Sequence, residues 1–149
     1  MAPEAWLSGP VEGVAEYLLP VVHALVQVRR DLEAAAGLTL DQLWARPGDA
    51  ASVGFHLRHV AGVLDRLLTY ARTEELTEEQ MRALRSEGQP GEPPADAAAL
   101  IAQARAAIDR ALEQVRATTP ASLLEPRAVG RQRLPSTVLG LLYHAAEHA

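Results

Sequence analysis

Three of the five histidines carry the residue types and spacing on which metal chemistry could be built. His144 and His148 are four residues apart, which places two imidazoles on one face of a helix. His59, in ValGlyPheHisLeuArgHisVal, can join them from another helix. Neutral imidazole is the commonest protein ligand for zinc, nickel and iron, and three such ligands leave a coordination position open, as a catalytic metal site requires. No obvious fourth protein ligand accompanies them. Four further groups stand close enough in the chain to matter. His56 shares part of the face of His59, Glu147 adjoins His148, Tyr143 precedes His144, and Arg127, Arg131 and Arg133 cluster in one loop where an anionic substrate or a thiol cofactor's carboxylate could be received. A lone histidine such as His23 is expected to be a hydrogen-bonded or surface residue.

These groups have to be positioned by helices. Ala97, Leu100, Ile101, Ala104, Ile108, Ala111, Leu112 and Val115 repeat at intervals of three and four residues, which predicts an amphipathic helix from Asp96 to about Thr118. A second helix begins at Ser52, carries Val53, Leu57, Val60, Leu64, Leu67 and Leu68 on its core side, and runs to about Arg72. An earlier one covers Val11 to Ala36 and stops at Gly37. Pro20 implies either a kink in it or a short leading helix before a longer one starting near Pro20. LeuThrLeuAspGlnLeuTrp reads as a short helix closed by Pro47 and Gly48, and Thr77 to Leu84 as another within an acidic connection. Pro135, Ser136 and Thr137 signal a last helix, with Val138, Leu141, Leu142 and Ala145 on its apolar side. No strand-like alternation of useful length is apparent, and Pro120 to Pro135 reads as a long loop.

Four long helices in a chain of 149 residues predict one domain, all-α, folded as an antiparallel four-helix bundle. The last helix is short for that role. From Thr137 to Ala149 it spans roughly 20 Å at about 1.5 Å per residue, less than its neighbours, so residues beyond Ala149 are expected in the natural protein.

Composition narrows the function classes. The net charge is −5, and every basic residue is an arginine, interleaved with acids; this lacks the basic stripe that nucleic-acid binding uses. Cysteine is absent, so disulfides, zinc–thiolate sites and cysteine nucleophiles are excluded. Neither a signal peptide nor an apolar run long enough to span a membrane is visible, and a soluble cytoplasmic protein is the expectation. Missing Asn and proline-bearing loops are traits of thermophiles, while the absence of Lys is more simply explained by an Arg-favouring, GC-rich coding bias. A ferritin-like di-metal bundle is set aside because it needs Glu-x-x-His pairs, which do not occur.

SerValGlyPheHisLeuArgHisValAlaGly, LeuAspArgLeuLeuThrTyrAla, the preceding TrpAlaArgProGly and the final GlyLeuLeuTyrHisAlaAlaGluHis together resemble the DinB/YfiT-like family of metal-binding four-helix-bundle proteins. The resemblance implies a divalent metal, zinc or nickel, held by His59, His148 and a third histidine. Two registers fit the family pattern: His144 with His148, or His148 with a histidine four positions further on. It also implies a thiol-dependent S-transferase or isomerase that uses a low-molecular-weight thiol and a small-molecule substrate, and association as a homodimer. The alternative is a non-enzymatic helical binding or stress-response protein whose metal site is structural or vestigial.

Overall fold

The computed structural model describes residues 3–149. Six helices are present among them: α1 (Leu19–Asp31), α2 (Leu40–Trp44), α3 (Val53–Ala71), α4 (Glu78–Ser86), α5 (Ala97–Ala117) and α6 (Val138–His148). Their starts follow from local chemistry. Thr39, Ser52, Thr77, Asp96 and Thr137 each accept a hydrogen bond from a backbone N–H of the following first turn, and Thr39 and Thr77 complete capping boxes with Gln42 and Gln80. Pro20 lies at the start of α1, where its missing N–H costs nothing. A 3-10 turn, Glu16–Leu18, precedes it, so of the two readings of Pro20 the short leading helix describes the chain, and no continuous helix extends back to Val11.

The expectation of an all-α chain needs correction. Pro126–Val129 (β1) and Leu134–Thr137 (β2) form an antiparallel hairpin with Pro126 opposite Thr137 and Val129 opposite Leu134. Its turn uses Gly130 and Arg133 at φ +69° and +49°. Strands of four residues are too short for alternation to register as a pattern. The fold is mostly helical, with this one small sheet among the described residues.

Helix directions also depart from a fully antiparallel arrangement. Arg29 pairs with Asp109 at 2.8 Å and Glu33 with Arg105, so α1 and α5 run antiparallel. The α3 and α6 helices are antiparallel too, since His59, in the first half of α3, meets the end of α6 at His148. But Gln114, near the end of α5, donates to the Leu68 carbonyl and accepts from Arg72 at the end of α3, so α3 and α5 are parallel. Tyr143 donates to the Tyr17 carbonyl, while Ala149 shares a groove with Val28 and Leu32; α1 and α6 are therefore parallel as well. The long stretch between Ala71 and Ala97, which contains α4, returns the chain along the length of α3 and makes the parallel pair possible.

The core is filled by Val22 and Leu25 from α1, Leu64 from α3, Ala104 and Ile108 from α5 and Leu142 from α6, all essentially inaccessible to solvent. Leu64→Ala should lower the unfolding free energy by about 2–5 kcal/mol, read as an earlier urea midpoint with little change in slope. A loss of only a few tenths would contradict the central position given to Leu64.

Candidate metal centre

On α3, His59, Gly62 and Arg66 recur at three and four residues and share one face. On α6, Leu141, Leu142 and Ala145 are buried, and the packing of α6 on α3 carries the end of α6 to His59. The result is a close pair: His59 Nε2 lies 3.4 Å from His148 Nδ1. The Phe55 ring stacks on His59 at 5.2 Å, with 14° between the planes.

His59 is fastened from the other side by a residue that sequence reasoning missed. Glu87, at the end of α4, is 5% exposed and its two oxygens have separate partners. Oε2 is 2.9 Å from His59 Nδ1, and Oε1 accepts from Arg66 Nη1 at 2.6 Å. Gly62 lies beneath both groups. A methyl group there would collide with Glu87 Oε1 and come within 2.6 Å of Arg66 Nη1. The turn bearing Glu87 is itself clamped by Arg58, whose guanidinium donates to the carbonyls of Ser86, Gln89 and Pro90 and sits 4.9 Å over the Trp44 ring. Trp44 packs against Gly54 and donates its indole N–H to the Ala95 carbonyl at 2.9 Å.

Electrostatics favour a neutral His148. Burial, with the repulsion of His144, His59 and Arg66 added, holds its pKa below the ordinary histidine value against the opposing pull of Glu147, so its ring is uncharged at neutral pH and has a lone pair to offer.

The other sequence candidates occupy varied places. His144 meets the His148 ring edge-on at 4.5 Å, is half exposed, and turns Nδ1 to Glu147 Oε2 at 3.2 Å. Among the described residues no three His, Asp or Glu side chains converge closely enough to hold a metal ion as they stand; two of the three candidates have facing nitrogens and His144 adjoins them. His56 lines an apolar groove with Leu57 and Val60, beside Leu32, Leu38 and Ala149. His23 takes the ordinary role, its Nε2 2.9 Å from the Gly9 carbonyl, and Tyr143 spends its hydroxyl on Tyr17. The arginine cluster lies at the far end of α3. Arg127 donates to the Ala71 carbonyl and to Glu125, and Arg131 and Arg133 border a cleft of about 640 Å³ that also contains Glu74, Glu75 and Glu78. Twelve residues of helix, about 18 Å, separate His59 from Ala71, so these arginines do not reach the histidines.

Residues 24–149 match the family model of the DinB superfamily. The chain belongs to that superfamily. Comparison with curated proteins gave no significant match. No helix among the described residues is long and apolar enough to cross a membrane.

Gly62→Ala should destabilise the protein by about 1–3 kcal/mol through overpacking, because the added methyl must displace a buried, paired carboxylate. Thermal melts of the variant would show the loss. An unchanged melting temperature would mean that the Glu87 carboxylate moves aside freely.

Proposed function

We propose that the four packed helices are a DinB-type four-helix bundle and that the chain is a divalent-metal-dependent enzyme, its zinc or nickel held by His59, His148 and His144. The observation that carries this reading is the 3.4 Å between His59 Nε2 and His148 Nδ1. Two nitrogens bound to one tetrahedral zinc at about 2.0–2.1 Å stand about 3.3–3.4 Å apart, so this pair fits the edge of such a site. His144 is one helical turn from His148 and half exposed, with room to turn its ring from Glu147 toward the pair. The donor set is nitrogen-rich and free of sulfur, as suits zinc and nickel.

When bound, such an ion lowers the pKa of a coordinated water or thiol toward neutrality. The family resemblance implies thiol-dependent S-transfer to a small electrophile, and since the chain has no cysteine, the sulfur nucleophile of such a reaction would belong to a low-molecular-weight thiol. Around that chemistry the protein's own groups do ordinary work. Phe55 screens one face of His59 from water, and the neighbours of His148 keep its ring neutral and ready to donate.

One observation favours the non-enzymatic alternative. The Arg66–Glu87–His59 chain is hydrogen-bonded throughout, so it could serve as a structural tie between α3 and α4 without any metal. Elemental analysis of untagged protein, wild type beside His59→Ala, separates the two. Near-stoichiometric zinc or nickel that disappears in the variant is expected, along with metal-dependent consumption of low-molecular-weight thiols in the presence of electrophiles. Metal-free wild type that also fails to take up added zinc would overturn the enzyme reading and leave the structural tie.

A further inference from the structure

We propose that Glu87, held in place by Arg66, is a positioning residue that selects the tautomer of His59 and so points a lone pair, not a proton, at His148. The inference rests on the metal reading above for its purpose, but its physical content is a property of the apoprotein. An ionised carboxylate only accepts hydrogen bonds. With Oε2 2.9 Å from Nδ1, Nδ1 of His59 must carry the ring proton, and a neutral imidazole protonated there has its free electron pair on Nε2, the atom facing His148. A hydrogen bond to the distal nitrogen is how protein carboxylates set the tautomer and raise the basicity of liganding histidines. Arg66 makes the arrangement one-way. It is a donor only, and it claims Oε1 at 2.6 Å, which leaves Oε2 of this 5%-exposed carboxylate to His59. Gly62 supplies the space in which carboxylate and guanidinium meet.

This arrangement gives the near-isosteric Glu87→Gln substitution an unusual consequence. The new side chain has one accepting oxygen and one donating amide. Arg66 can use only the oxygen, so the NH2 group faces His59 Nδ1. That nitrogen must then accept, which moves the ring proton to Nε2 and removes the lone pair directed at His148. Replacing Arg66 as well frees the amide to rotate, so in Arg66→Met/Glu87→Gln the oxygen can again accept from Nδ1–H. A residue that merely braced the fold would show no such reversal.

The test has two readouts. Long-range 1H–15N spectra of the metal-free protein report the tautomer of His59. The expected result is Nδ1–H in the wild type, Nε2–H in Glu87→Gln, and Nδ1–H again in the double variant. Zinc affinity, from competition with a chromophoric chelator, should fall about 10–100-fold in Glu87→Gln and recover most of that loss in the double variant. A wild type with the proton on Nε2 overturns the proposal, as does a Glu87→Gln protein with unchanged tautomer or unchanged zinc affinity. A wild type that binds no zinc counts against the metal reading instead, and the apoprotein spectra still decide the role of Glu87.

Discussion

A carboxylate withdrawn from water cannot stand alone, and the burial of Glu87 organises much of what surrounds it. Leaving a buried charge without a partner costs several kcal/mol, so Glu87 needs both a cation and further donors, and α3 provides them from a single face: the Arg66 guanidinium on one oxygen and the His59 ring on the other. Gly62 has no side chain because the two charged groups occupy the space where one would be. The turn that carries the carboxylate is fixed by Arg58, and Arg58 in turn rests on Trp44. A chain of contacts therefore leads from the short α2 helix through α3 to the histidine that faces α6.

The helix directions put this site at one end of the molecule. Because α3 and α6 are antiparallel, the last turn of α6 falls beside His59, while the hairpin that starts α6 falls beside the other end of α3. Val138 and Leu139 donate to the carbonyls of Glu125 and Leu123, so the hairpin is joined to the base of α6 and helps set where its far end, with His144 and His148, lies. The arginines of the hairpin lie at that distant end. Any anionic group near the histidines must be met by other residues.

Much of this was legible in the sequence. The periods of α3 and α5, the caps at Ser52 and Asp96 and the breaks at Pro20 and Gly37 are local signals, each set by residues within a few positions of one another. His144 and His148 could be singled out because their spacing of four residues is also local, and His59 because of the short motif around it, which resembles the family pattern. What could not be read depends on contacts between distant segments. Glu87 is one of several acids in an acidic connection, and nothing within that connection distinguishes it from Glu74 or Glu92. The usable signal lay elsewhere, in an arginine beside the apolar stripe of α3 and a glycine inside the same helix, which together call for an acid from outside. The hairpin escaped notice because four-residue strands show no periodicity, and the parallel α3/α5 pair because connection length alone does not fix direction.

The pairing of His59 with His148 as metal donors is the central claim, and X-ray absorption fine structure at the zinc edge, on protein loaded with one equivalent of zinc, tests it most directly. The account expects at least two imidazole nitrogens at about 2.0–2.1 Å, with one fewer after His148→Ala. A shell made up of oxygen atoms, or one that His148→Ala leaves unchanged, would contradict it.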